Sequence, residues 1–309
     1  MPRMTRSRKF AAALAVFSLV ALSAQGSFGP YLGYPVEGQY CFADGVTLHY
    51  TDQGHGEPVI LLHGFAMNTD ITWRDPGVLD YLAANHRVIG MDMRGHGRSA
   101  KPYSAGAYGE QMAEDVRRLM DCLGIDRAHI VGNSMGALVA IKFAALHPGR
   151  TRSLTACGFG WARYSEDRRE VVESLAASIE SGDGYGPLIR YLRPPDDPMG
   201  WMELSAVNTL VSYINDEQAL LPMTRQIKDL EVSEADLRGM AFPVLSVIAA
   251  SDPLLPDVEA MAAVVPDHRM VVVQDYDHFT LTSAAACREA IKAFIAGASG
   301  AVEAQPPMS

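Results

Sequence analysis

An α/β fold, with a mostly parallel sheet flanked by helices, is what this chain of 309 residues predicts, and three observations predict it. Apolar runs without alternation recur along the chain, as strands covered on both faces require. Helical patterns lie between those runs, and such alternation builds a layered α/β domain. Finally, Gly132-Asn133-Ser134-Met135-Gly136 stands where one apolar run passes straight into a helical one. A chain that turns from strand to helix so quickly must bend hard around Ser134, and glycines on either side remove side chains that would collide with backbone.

The first residues differ from the rest. Arg3, Arg6, Arg8 and Lys9 precede an apolar run from Phe10 to Leu22, followed by Ser23-Ala24. Basic, then apolar, then small is the layout of a secretory signal, and the run of about 13 residues is short of the ~20 that span a membrane. Residues 1–24 are therefore expected to be removed on export, to the periplasm or the outside, with no stable membrane anchor left. Cutting there removes four basic residues and leaves 22 basic against 36 acidic, a net charge of −14. So acidic a protein is a poor partner for nucleic acid or anionic membrane. Composition, 48% hydrophobic and 20% charged, is that of an ordinary globular domain, and the length allows one core with an insertion. Cys41, Cys122, Cys157 and Cys287 are widely spaced, and neither C-x-x-C nor H-E-x-x-H is present, so no metal site is expected. Export permits disulfides, but spacing does not say whether any form.

Taken in order, Gln39–Phe42 and Thr47–Thr51 flank Asp44-Gly45 and read as an antiparallel hairpin. Buried strands are expected at Val59–Leu62, Val88-Ile89, Ile130-Val131, Val244–Ile248 and Met270–Val273. Val116, Leu119, Met120 and Leu123 share one helical face, whereas Met135 to Leu146 is apolar nearly all round, as a central buried helix is. From Phe159 to Arg238 the rhythm breaks into helical stretches at Glu166–Ile179, Trp201–Ile214 and Glu217–Lys228, with no strand between them. The expected organisation is a core over 25–158 and 239–296, a helical cap over 159–238, and a flexible tail over 297–309. Trp161, Tyr164, Tyr185, Met199, Trp201 and Tyr213 supply the cap's aromatic and sulfur side chains, most of them for its own packing and one or two to face the serine.

A serine hydroxyl at neutral pH needs a base to take its proton and a third group to orient that base. His278 follows the apolar run Met270–Val273, and a loop there returns over the sheet edge. His129, His147 and His268 are placed at the wrong ends of their elements. Asp252 directly follows Val244–Ala249, in a loop stiffened by Pro253 and Pro256. Asp277 adjoins His278, and sequence neighbours seldom aim side chains at one another, so it reads as loop-forming. The strand before the insertion ends in Cys157-Gly158-Phe159-Gly160 and offers no carboxylate. The backbone N–H groups of Phe65, after the strand ending at Leu62, and of Met135 form a candidate oxyanion pair. His63 reads as a loop-holding residue rather than a second base.

His63-Gly64-Phe65, Asp92–Ser99, Gly132–Gly136, Asp252 and His278, in that order, resemble the cap-bearing serine branch of the α/β-hydrolase fold family, over roughly Tyr40 to Ile295. The resemblance implies an eight-stranded, mostly parallel sheet, a helical cap inserted after the sixth strand, no required cofactor, and a structural role for the Asp92–Ser99 loop beside the site. Where the family often has glycine just before the histidine, this chain has Asp277. The resemblance implies a small-molecule substrate, an apolar ester first, cleaved through an acyl-enzyme. C–C bond hydrolases, lactonases, aminopeptidases and cofactor-free perhydrolases share the same motifs, and a non-catalytic binding protein is a further alternative on this fold. The cap arginines Arg163, Arg190, Arg193 and Arg225 are either solvated or available to a carboxylated substrate.

Overall fold

The computed structural model describes residues 38–303 except 162, 194, 195 and 197. The expected export signal at 1–24 lies outside the described residues, as do residues 304–309.

Strands β1 (Gln39–Ala43) and β2 (Val46–Gln53) form the expected hairpin. Asp44 and Gly45, at φ 49° and 77°, take the left-handed backbone that a two-residue hairpin turn needs. Beyond it, β2 pairs antiparallel with β4 (Arg87–Met91), and every later pairing is parallel: β4 with β3 (Pro58–Leu62), then β5 (Ala128–Asn133), β6 (Thr151–Cys157), β7 (Val244–Ala249) and β8 (His268–Val273). The result is one eight-stranded sheet in the order β1-β2-β4-β3-β5-β6-β7-β8.

Strand alternation divides the core in two. Ile60 and Leu62 of β3 join the apolar cluster that holds helices α2 (Glu110–Cys122) and α3 (Met135–Leu146). Val59 and Leu61 join the opposite cluster, which holds α1 (Val78–Ala83) and α10 (Ala285–Glu303). Helix α3 is apolar nearly all round, Lys142 apart, because β5 and β6 lie beneath it, α2 beside it and the cap above it.

Between β6 and β7 lie five helices and no strand among the described residues: α4 (Glu166–Ser181), α5 (Gly186–Leu192), α6 (Trp201–Ile214), α7 (Glu217–Gln226) and α8 (Glu234–Arg238). Their ends carry conventional stops. Ser165 accepts the Arg168 N–H and Asp216 the Gln218 N–H, Gly182 closes α4 at φ 79°, and Ser233 with Asp236 forms a capping box. Helix α5 has no counterpart in the sequence expectation. It begins Gly-Pro, which reads as a turn, yet Pro187 occupies the first helical turn, where its missing N–H has no partner to lose.

Two expectations need correcting. Strand β8 is an edge strand among the described residues, with Met270 and Val272 41% and 37% exposed. The tail expected to be flexible from 297 onward is helical to Glu303. Ala298 is buried, and the Ser299 hydroxyl donates to Glu57 and to the Ile295 carbonyl, so α10 is fastened to the bottom of the sheet through this segment. No described helix is long and apolar enough to cross a membrane.

Candidate active site

The turn after β5 is steric before it is chemical. A Cβ on Gly132 would sit 2.1 Å from the Gly136 carbonyl oxygen, and one on Gly136 only 2.3 Å from the Leu62 carbonyl oxygen. Only hydrogen fits at either place, so α3 starts hard against the end of β3. Between them Ser134 is forced to φ 53° and ψ −118°, a backbone region that side chains rarely occupy. Its N–H donates to the Cys157 carbonyl at 2.8 Å, and its own carbonyl accepts from Ala137 and Leu138. The hydroxyl is left pointing from the carboxyl edge of the sheet, at the start of a helix.

Loops after β8 and β7 bring two more side chains to it. The Ser134 hydroxyl lies 2.9 Å from His278 Nε2, and His278 Nδ1 lies 2.8 Å from Asp252 Oδ2. Since a carboxylate only accepts, Nδ1 carries the hydrogen and Nε2 is the lone pair that faces the serine. The other Asp252 oxygen accepts the Leu254 N–H at 2.9 Å, which fixes the carboxylate plane. Both Asp252 and His278 are buried. Gly158 touches the imidazole: a Cβ there would stand 3.5 Å from Cε1. Asp277 is the loop former expected of it, since its N–H donates to Thr280 Oγ1 and its carboxylate accepts from Thr280 and from Arg193 of the cap.

Phe65 and Met135 flank the hydroxyl. Gly64 lies against Ser134, with a virtual Cβ 3.6 Å from the serine Cβ. The neighbouring N–H groups are occupied, Ala66 by His96 Nε2 and Met67 by the Gly64 carbonyl. Among the described residues, those of Phe65 and Met135 meet no protein acceptor.

Two buried imidazoles set this loop. His63 donates from Nδ1 to the Gly64 carbonyl and accepts the Met93 N–H at Nε2; His96 donates to the Arg94 carbonyl and accepts the Ala66 N–H. Each ring has one acceptor and one donor opposite it and so must be neutral. Burial also pushes both below the ordinary histidine range. Asp92 holds the other side. Burial alone would raise its pKa, but hydrogen bonds from His49 and the Thr69 N–H, with the charge interactions around it, hold it far below the usual carboxylate value. The Arg94 guanidinium donates to buried Asp115 from Nε and Nη2, each at 2.5 Å. The Asp92–Ser99 segment is thus a rigid buttress behind the Phe65 loop.

Above the serine opens a cavity of about 110 Å³. The core contributes Phe65, Met135 and Leu138, and the cap contributes Phe159 and one face of α4, through Arg168, Val171, Val172 and Leu175, with parts of α5 and α7. The lining is overwhelmingly apolar. Its only guanidinium, Arg168, is hydrogen-bonded to Asp257 of α9 (Leu255–Ala262) and stacks over Phe159. Of the six cap residues singled out above, Tyr164 lines this cavity; Trp161 and Tyr185 are buried in packing, and Trp201 and Tyr213 are exposed. Among the four arginines, Arg225 pairs with Glu180, Arg193 with Asp277, and Arg163 stacks on Trp161. Sequence reasoning missed Arg168 as a cavity residue, although its spacing with Val171, Val172 and Leu175 places all four on one helical face. Among the described residues, no cluster of His, Cys, Asp or Glu is placed to hold a metal ion.

Comparison with known proteins agrees with this architecture. Residues 57–284 match the family described as alpha/beta hydrolase fold. The chain is 38% identical, over half its length, to a dihydrolipoyllysine-residue acetyltransferase component of the acetoin cleaving system of Cupriavidus necator, and spans only 45% of that protein. It is 27% identical to 2-hydroxymuconate semialdehyde hydrolase of Pseudomonas putida, covering 80% of this chain and 89% of that one. Among solved structures, a carboxylesterase from the Thaumarchaeon Nitrososphaera gargenis superposes with a TM-score of 0.73 over 85% of this chain and all of the other, at 18% identity.

Proposed function

The chain belongs to the α/β-hydrolase fold family, and we propose that this hydrolase is a serine esterase whose substrate carries an extended apolar acyl group. His278 takes the Ser134 proton as Oγ attacks the ester carbonyl. The carbonyl oxygen becomes an anion between the Phe65 and Met135 N–H groups, and the Asp252 carboxylate stabilises the imidazolium. Collapse of the tetrahedral intermediate breaks the carbon–oxygen bond, and His278 returns the proton to the departing alkoxide. Water, activated by the same imidazole, attacks the acyl-enzyme, and the acid leaves as Ser134 recovers its proton.

The observation that carries this reading is the pair of N–H groups without acceptors on either side of a hydroxyl already bonded to a fixed imidazole. One such donor is worth about 10²–10³ in rate. The cavity favours an ester over an oxo-carboxylate C–C substrate, because its lining is overwhelmingly apolar and Arg168, one of its two cations beside Lys228, already has a carboxylate partner. A panel of p-nitrophenyl esters of increasing acyl length, beside lactone, peptide and diketone substrates, tests it: turnover is expected to be strongest with medium or long acyl chains. Strong diketone cleavage with weak ester turnover overturns it. The protein is further proposed to be exported, on the strength of residues 1–24; a mature N-terminus near Gln25, read by mass spectrometry of the secreted or periplasmic protein, is the expected result.

A further inference from the structure

We propose that the four cysteines form two disulfides in the exported protein, Cys41–Cys122 and Cys157–Cys287. They are far apart in the sequence, yet the fold groups them in twos and leaves none over. Cys41 is the one buried residue of β1, and its Sγ lies 3.9 Å from the Arg118 carbonyl of α2. That carbonyl faces the N–H of residue 122 one helical turn on, so Cys122 stands directly beyond it at the end of α2. Burial and this neighbouring thiol push Cys41 up to about 12. Cys157 ends β6 and Cys287 lies in the first turn of α10; both are fully buried in the same apolar cluster. Helix α10 packs directly on β6, and the neighbouring Cys287 thiol, with burial, holds Cys157 well above the ordinary thiol value.

Buried cysteines often act only as small apolar side chains. That account fails for the first pair, since Cys122 is exposed and has no core position to fill. Each bridge forms by loss of two protons and two electrons from two thiols. A disulfide of the oxidising compartment takes them up and is released as two thiols. At the first pair, the exposed Cys122 sulfur attacks the donor disulfide and Cys41 then displaces the second donor sulfur. The second pair is shut inside the core and must close while the chain folds. That bridge matters most to the site, because the Cys157 carbonyl holds the Ser134 N–H and Gly158 rests on the His278 ring.

The test uses the full chain exported with its leader and, in parallel, leaderless chain refolded in an oxidised glutathione buffer. Both are denatured without reduction, alkylated and mapped by mass spectrometry. No alkylated cysteine, with linked peptides 41–122 and 157–287, is the expected outcome. Four alkylated thiols in the refolded arm, or any other pairing, overturns the proposal. Bridges in the refolded arm but not the exported one uphold the pairing and count against export instead. Mild reductant on the native protein is expected to open Cys41–Cys122 alone, with Cys157–Cys287 opening only on unfolding. The Cys122→Ser variant is expected to keep one bridge, unchanged ester turnover and a melting temperature lower by about 10 °C; loss of both bridges in that variant counts against two independent pairs.

Discussion

The sheet and the cap are held together in different ways. Around Ser134, strands β3, β5, β6 and β7 are almost wholly buried, and backbone meets backbone so closely that two positions admit only glycine. The cap shares one apolar cluster with that core through Leu220, Met223 and Leu230, and polar contacts fasten its edge. Asn215 donates to the Ala66 carbonyl at 2.9 Å, Tyr103 to Asp216 at 2.7 Å, the Tyr108 N–H to Gln226 at 3.1 Å, and Arg193 to Asp277 at 3.3 Å. Helix α6 buries only Val211. The proposed bond-making groups therefore sit on the part of the molecule that cannot shift without unfolding, and most of the cavity wall sits on the part that tolerates change.

The sharpest way to probe this division is to remove chemistry from the core and leave packing alone. Ser134→Ala should lose about 10⁴–10⁶ in kcat and all labelling by a fluorophosphonate probe, with no fall in melting temperature. Retained labelling would place the nucleophile elsewhere. Next in size, Gly136→Ala drives a methyl into the Leu62 and His63 carbonyls. A loss of about 3 kcal/mol or more is expected in urea unfolding, whereas Trp201→Ala, at an exposed cap position, should stay within ~0.5 kcal/mol.

Acid should act on the core alone, because residues 159–238 contain no histidine. His63, His96 and His129 are held neutral chiefly by burial, and His129 is pushed down to about 4. In the unfolded chain they take up protons near pH 6.5. At these three sites the unfolded state therefore binds more protons between pH 6.5 and 4, and their contribution to stability falls as pH falls, partly offset by Asp75, which burial raises to about 6. His129 alone accounts for about 3 kcal/mol across that window. Asp92, with its depressed pKa, adds a further loss only at more acid pH. Urea midpoints at pH 7, 6, 5 and 4 check the sign, and a flat profile would contradict it. The smallest effect belongs to the cap. Val172→Phe narrows the cavity and should cut turnover of a decanoate ester ~10–100-fold while leaving the acetate ester within about threefold.

Much of this was legible in the chain because the informative residues stand at strand ends. Ser134, Asp252 and His278 each follow an apolar run, and parallel strands deliver all three to one edge of the sheet. The hairpin was legible from Asp44-Gly45, and the insertion from the loss of strand rhythm. Helix α5 escaped notice because seven residues starting with Gly-Pro carry too little period to read. The α10 extension escaped because alanine, glycine and serine describe a tail or a helix equally well until Ser299 finds Glu57. Arg168 is not among the cap arginines singled out from the sequence; only packing reveals that its partner, Asp257, comes from the far side of the insertion.

The contorted backbone at position 134 has an evolutionary edge. Glycine would sit there more comfortably than serine, by about 1–3 kcal/mol, so the fold and the reaction disagree about this one residue. Drift toward robustness, unopposed by selection for turnover, would erase the hydroxyl early. Descendants of this chain that bear glycine there would be sturdier, inert relics of a catalyst.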